Sequence, residues 1–450
     1  MRAIFKKTID DIVYHMPKRL RVCAERFHPP VAFINYYKEI TEDEFSDFES
    51  KRNKQFVKLK NILKYAQEKV PYYRNLFKTL NFSVDNFKHF SDLSAIPILT
   101  KECIQRNTSL FISDDFRTRK LVSKFTSGTA DAPVCFFLDP KVIYYWGAVR
   151  KKQYNIAGVD LRDPHIIIAE AFKKNILMRC HKGNIYINTL RFDSDSLDGV
   201  INFLKKQGKF KFILGFPSFL QILAQRIKEL HILIKPLKAV IATSECLSEE
   251  NRELVESVFG CEVFDYYSMH EGVIHGMECE CHTGFHLEMN TSFVEQVAID
   301  KSFEGKKIVA TGLTNYAMPL IRYDTGDVGL ITERSECRCG RRGPLLTKLY
   351  GRLSNLIRLN NGTTYDRFVL SKALQNCNGI RESRFVYYPS NKIIFEMVRN
   401  GSPFDREKLC NDLSNLFSEE ILFEIKEVSS VPRSNNGKTD LICVVDNAFK

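Results

Sequence analysis

Between residues 165 and 268 the chain repeats one pattern: a short apolar run, then a polar turn. The runs are "HIIIAEAF", "KFILGFPSFL", "LKAVIATSECL" and "CEVFDYYS". A helix-like segment, "SEENRELVESVFG", stands between the last two and ends at Gly260. Strands alternating with helices of this length predict parallel α/β layers. Each run closes in a polar turn, where open α/β sheets carry their ligands.

The flanking text differs. Residues 40 to 80 read as helix: Val57, Leu59, Ile62, Leu63 and Ala66 fit a 3.6 period, and Pro71 stops it. From about residue 284 the pattern changes to alternation, in "FHLEMNTSFVEQVAI", "KKIVATGL" and "IRYDTGDVGLITE". That predicts antiparallel strands or a barrel. "GRLSNLIRLNNGTTY" holds a Gly351-Arg352 turn and then Asn361-Gly362, a strong hairpin signal. The last stretch, 380 to 450, sets "SRFVYY" and "KIIFEMV" around the helix-like "DREKLCNDLSNLF", the size of a small α+β domain. The boundary is placed near Leu353, which gives units of 1–353 and 354–450.

With 450 residues and 44% hydrophobic content, two or three packed units are expected. No run of about 18 apolar residues is present, so no membrane span is expected. The basic N-terminus lacks the continuous apolar stretch of a secretory signal, and a cytoplasmic protein is expected. Thirteen cysteines, an odd number scattered along the chain, do not suggest a disulfide scaffold. The net charge of +12 is spread among acids rather than gathered in a stripe. It reads first as a solvated basic surface, and otherwise suits an anionic ligand or an acidic carrier protein rather than a nucleic-acid footprint.

Residues 124–133 read "KFTSGTADAP". Hydroxyls around a glycine let Oγ and successive N–H groups turn toward one anion. The stretch therefore reads as a phosphate loop, but not a P-loop, because no Gly-Lys-Ser/Thr follows. Four downstream stretches follow it in order: "FDYYSMHEG" (264–272), "PLIRYDTGD" (319–327), "GRLSNLI" (351–357) and "VPRSNNGKTDL" (431–441). In that order they resemble the adenylate-forming (acyl-AMP) superfamily, most closely its phenylacetate–CoA ligase branch, which includes capsular polysaccharide biosynthesis proteins.

The resemblance implies an α/β fold. A large N-terminal domain would comprise two α/β subdomains and a β-rich, barrel-like one, followed by a small mobile C-terminal α+β domain. It implies that a carboxylic acid is activated with ATP to an acyl-adenylate and passed to a thiol such as coenzyme A. Thr126, Ser127, Gly128 and Thr129 would hold the β- and γ-phosphates, and Glu271 would bind Mg²⁺, a hard cation that prefers oxygen. Asp327 would hold the ribose hydroxyls and Arg352 the ribose or a phosphate. Ser244, Glu245 and Cys246, with Asp265, Tyr266 and Tyr267, match the adenine-binding stretches, where a tyrosine ring can stack on the base. Lys438 would bridge the acid carboxylate and the α-phosphate, neutralising two anions that repel during attack. The chain departs from the family pattern at Ala130 and Asp131 in the phosphate loop, at Ser354 on the hinge and at His270.

"GMECECHTGFHLE" and "ECRCGRRG" bring together Cys279, Cys281, His282, His286, Cys337 and Cys339. Such soft donors suit a tetrahedral Zn²⁺. The resemblance implies the set Cys279, His286, Cys337 and Cys339, a closed structural site, with Cys281 competing for the place of Cys279. Alternative readings pass the acyl group to a carrier protein, an amine or a sugar, or make the chain a non-catalytic, zinc-stabilised nucleotide-binding homologue. Walls of the acid pocket are expected from "GFPS" (215–218), "IATSE" (241–245) and the Tyr266–Gly272 turn.

Overall fold

The computed structural model describes residues 30–445 apart from 126–133, 170–176, 182, 192–193, 207, 301–302, 360–361, 375–378, 400, 418–420 and 434–440. The proposed phosphate-loop residues Thr126, Ser127, Gly128 and Thr129, and Lys438, lie outside the described residues.

The stretch from 40 to 80 is not one helix: it holds the end of Val31–Glu42 and then two further helices. Phe48–Lys69 starts with the Asp47 side chain accepting from the Ser50 N–H, and the chain breaks at Val70, which is extended. Pro71 then opens Pro71–Thr79 at the first helical position, where its missing N–H costs nothing. Leu59, Ile62, Leu63 and Ala66 are fully buried. Val57 is not; it is 57% exposed, because the 3.6 period turns it away from the other four.

A hairpin of β1 (Val122–Phe125) and β2 (Cys135–Leu138) follows. The repeated apolar runs become β3 (His165–Ala169), β6 (Phe212–Gly215), β7 (Ala239–Thr243) and β8 (Val263–Ser268), with β4 (Met178–His181) and β5 (Asn184–Asn188) at the edge. All neighbours from β5 to β8 pair in parallel. "GFPSFL" splits between the end of β6 and a helix, Pro217–Glu229, opened by Pro217. The helix Glu249–Phe259 is capped by Ser248, which accepts from Asn251 N–H, and ends at Gly260 with φ 62°.

The alternating region gives β9 (His275–Glu278), β10 (Phe285–Leu287), β11 (Ser292–Ala298), β12 (Lys306–Gly312), β13 (Tyr323–Glu336) and β14 (Arg342–Arg352). These strands continue the parallel sheet. The ladder runs β11-β12-β13-β14-β10-β9-β8-β7-β6-β3-β5-β4, twelve strands in all. β8 is the junction, parallel to β7 and antiparallel to β9. Helices cover both faces of the parallel part. Ile166, Ile213, Val240 and Val263 pack beneath the helices from 194 to 259, and Phe212, Ile241 and Phe264 face Tyr154 of the helix Pro140–Ile156.

Beyond β14, a short hairpin of β15 (Ile357–Arg358) and β16 (Thr364–Tyr365) leads into β17 (Ile380–Tyr388), β18 (Lys392–Arg399), β19 (Leu422–Glu427) and β20 (Ile442–Val444). These last four form a separate sheet with its own core around Phe385, Phe395, Leu409 and Leu413. No helix among the described residues is long and apolar enough to cross a membrane.

Packing makes the two valine and isoleucine positions of the long helix a clean comparison. Ile62→Ala should cost ~2–5 kcal/mol and lower the urea midpoint of the large unit. Val57→Ala should stay within ~0.5 kcal/mol.

Candidate adenylate site and cysteine cluster

The ends of β7, β8, β13 and β14 bring distant residues together. In-register pairing sets Asp327 directly opposite Arg352 across the β13–β14 ladder. The Arg352 Nε lies 3.0 Å from Asp327 Oδ1, and a second guanidinium nitrogen donates to the Thr325 carbonyl at 2.9 Å. The Tyr267 hydroxyl donates to Asp327 Oδ2 at 2.7 Å. Oδ2 thus has one hydrogen-bond donor and Oδ1 an ion-pair partner, and both keep lone-pair capacity for a further hydroxyl. The Asp327 charge raises the Arg352 pKa, and burial followed by the same charge raises that of Tyr267, so both stay protonated as donors.

Glu271 sits on the turn after β8. It is buried, and accepts from the Tyr323 hydroxyl at 3.0 Å. Gly272 closes that turn, its N–H donating to the Met269 carbonyl. Its φ is 70°, and a Cβ there would lie 1.7 Å from Trp146 Cζ2. Only glycine fits. His270, beside it, is exposed.

The turn after β7 is anchored from both sides. Ser244 is left-handed, with φ 72°. Glu245 accepts from the Ser218 N–H at 2.9 Å and from its hydroxyl at 3.1 Å. The Cys246 carbonyl accepts from Arg367 at 3.1 Å, and its Sγ lies near Gly351. Arg367 belongs to the C-terminal unit, and a second contact spans the same seam. The Arg433 guanidinium stacks 4.4 Å from the Phe219 ring and pairs with Glu382 at 2.9 Å.

Two residues of the expected adenine stretch face elsewhere. The Tyr266 ring lies in the core against Tyr154 and Phe212. Asp265 is buried on the opposite face, next to Glu278, to whose Oε2 its backbone N–H donates at 2.8 Å. Burial and the Glu278 charge push its pKa well up, so it is the neutral member of the pair. Glu278 stays ionised, held by Arg252 at 2.8 and 3.0 Å. Asp265 is therefore a support beneath the β7 turn. Tyr323, Ser218 and Arg252 were not singled out from the sequence. Tyr323 lies inside "IRYDTGD" and could have been; Ser218 and Arg252 carry no local signal.

The second cluster arises where β10 pairs with β14. That pairing joins the β9–β10 hairpin, with Cys279 and His286, to the β13–β14 hairpin, with Cys337 and Cys339. Donor atoms of these four residues lie within 4.8 Å of one another. Cys279 Sγ is 3.6 Å from Cys337 Sγ, and Cys339 Sγ is 3.3 Å from His286 Nε2. A sulfur pair at that distance is no disulfide. Tetrahedral Zn²⁺ would need edges of about 3.8 Å between sulfurs and about 3.6 Å from sulfur to nitrogen, so the set fits a metal. Burial pushes the His286 pKa down to about 4, which keeps the imidazole neutral and able to ligate. Cys281 is outside the set; its N–H points at Cys279 Sγ, 3.4 Å away.

With this geometry in hand, the chain can be set beside known proteins. The solved structure of 2-hydroxyisobutyryl-CoA ligase in the postadenylation state, in complex with R3-HIB-AMP, superposes with a TM-score of 0.73. The match covers 91% of this chain and 92% of that one, at 17% identity. The chain has the adenylate-forming fold. Its sequence is similar to curated proteins that include phenylacetate-coenzyme A ligases. Protein CapK of Staphylococcus aureus is 22% identical over 427 residues, which cover 90% of this chain and 91% of CapK. The phenylacetate-coenzyme A ligase of Thermus thermophilus is 24% identical over 382 residues, 82% of each chain. No family model matches. In an open conformation with 2-HIB-AMP and CoA, the 2-hydroxyisobutyryl-CoA ligase superposes less closely, with a TM-score of 0.57.

At the Glu271 turn, Gly272→Ala should cost ~2–4 kcal/mol, from overpacking plus the left-handed backbone. Measured by denaturant titration in a Trp146→Leu background, the same glycine substitution should cost only ~1–2 kcal/mol relative to that background, since the packing clash is gone.

Proposed function

We propose that the chain is an ATP-dependent, AMP-forming acid–thiol ligase. The observation that carries this is the meeting of Asp327, Arg352, Tyr267 and Glu271 at the strand ends, in a fold shared with an acyl-CoA ligase. The relatives named as phenylacetate-coenzyme A ligases support the same class of reaction.

In this reading, the β13–β14 pair fixes the nucleotide. Asp327 accepts from the ribose hydroxyls while Arg352 and Tyr267 hold its carboxylate still. Glu271 is the Mg²⁺ ligand; the ion, when bound, neutralises phosphate charge. Tyr323 keeps one Glu271 oxygen in place. Thr126 to Thr129 hold the outer phosphates through hydroxyl and backbone donors. The acid carboxylate attacks the α-phosphorus, pyrophosphate departs, and no protein nucleophile is needed. Lys438 bridges the two reacting anions, and the unit after Leu353 carries it. Coenzyme A is the favoured acceptor, its thiol sulfur displacing AMP from the acyl carbon. An acidic acyl carrier protein is the competing acceptor. Capsular or surface polysaccharide synthesis is the setting that the CapK relative suggests.

The four-residue Cys/His set would hold Zn²⁺ as a closed, structural site. Arg341, next to Cys339, offsets the thiolate charge and ties the hairpin to Glu44 at 2.7 Å.

Acid-dependent exchange of labelled pyrophosphate into ATP tests the reaction. Some acid in a broad panel should support it, and Lys438→Ala should lower exchange by about 10²-fold or more while ATP binding persists. ATP uptake without exchange for any acid would favour the non-catalytic nucleotide-binding homologue. Elemental analysis tests the metal. Native protein should carry about one zinc per chain, Cys337→Ser a small fraction of that, and Cys281→Ser the full amount.

A further inference from the structure

The helix Pro140–Ile156 lies over the sheet beside the Glu271 turn, and three of its residues share one face: Trp146, Arg150 and Tyr154. The outer two are buried aromatics. Trp146 fills the space above Gly272, its ring 5.6 Å from that of His275. Tyr154 packs edge-on against Tyr266, with ring centres 6.0 Å apart. Arg150 stands between them, about 6 Å along the axis from each. It is exposed. Exposed between two buried residues on the same face, with Tyr154, Tyr186 and Tyr266 around it, its guanidinium marks an opening at this edge of the helix–sheet layer.

The charge at this point is unbalanced. Lys151 is paired with Asp160, and Lys152 with Glu288 at 2.7 Å. Among the described residues no carboxylate pairs with Arg150; the groups around its guanidinium are the tyrosines 266, 154 and 186. Under it, the Tyr266 hydroxyl and His275 Nδ1 are buried with no partner in good hydrogen-bonding geometry. Both lie on the helix-facing side of the sheet, because Tyr266 is paired with Met277 and Ser268 with His275. Burial keeps His275 neutral, its pKa down at about 4, so the site carries the single positive charge of Arg150. A cation walled by aromatic rings, at the side of an acid-activating site, is built for an oxyanion.

We propose that Arg150 sets specificity, selecting an acid that bears a second carboxylate, or a comparable oxyanion, remote from the reacting one. This rests on the acid-activating reading above. The reacting carboxyl lies at the Trp146–Glu271 end, and the remote oxyanion reaches one helical turn further, to the guanidinium.

Calorimetry with non-reactive acyl-sulfamoyl adenosines tests this on the full chain. Matched pairs are made at three lengths, succinyl to adipyl, each with a partner in which an isopropyl group replaces the remote carboxylate. Native protein should bind the charged member of the best pair at least ~30-fold more tightly. Arg150→Gln should cut that preference to within ~3-fold, and Arg150→Lys should keep part of it. Equal binding of charged and neutral members by native protein overturns the proposal, as does an equal loss for both on Arg150→Gln. If sulfamoyl adenosine without an acyl group fails to bind, the adenylation reading itself falls, a result separate from either. Arg150 is exposed, so matching thermal midpoints should show that the variants are folded.

Discussion

One strand, β8, joins the two styles of pairing in the large sheet. It runs parallel to β7 and antiparallel to β9, so its C-terminal end is where a helix-covered parallel layer meets a meander of hairpins. The turns of the candidate site follow from that. Ligand-bearing ends of parallel strands open at the sheet's carboxyl edge. The antiparallel strands bring Asp327 and Arg352 to the same edge through register alone. A one-residue slip in β13–β14 would send one partner to the other face. The site is thus specified by a ladder of backbone hydrogen bonds, and its side chains add the chemistry.

The sequence made the local elements readable. Ser248 and Gly260 bracket a helix at both ends, and the apolar runs from 165 to 268 became strands. Local signals did not say that the alternating region would extend the parallel sheet, since strand partners are chosen by packing over long sequence distance. The long helical reading broke at Val70 because a proline that ends one helix is also well suited to start the next. Val57 shows a different limit: strict periodicity places it opposite the other four, so its apolar side chain alone is a poor guide to burial.

The site was legible to an unequal degree. Glu271, Asp327, Arg352 and Tyr267 were named from ordered motifs, and the fold brings them within hydrogen-bonding networks of one another or of one supporting tyrosine. The cysteine set emerged with Cys281 excluded, which spacing could not decide, because Cys279 and Cys281 differ only in which side of a turn they occupy. Strand alternation sends Asp265 and Tyr266 to opposite faces of β8, and both are buried, Asp265 beside Glu278 and Tyr266 against Tyr154. The supports Ser218, Tyr323 and Arg252 act through contacts 26 to 52 residues away in sequence, beyond what a motif records.

Arg367 and Arg433 reach from the C-terminal unit to the Cys246 carbonyl and the Phe219 ring, at the backs of the same turns that Glu245 and Ser218 hold together. The surface that seats the tail is therefore the reverse side of the surface that frames the cleft. Were a ligand to stiffen these turns on one side, it would tighten or loosen the seating on the other, and the effect would run equally in both directions.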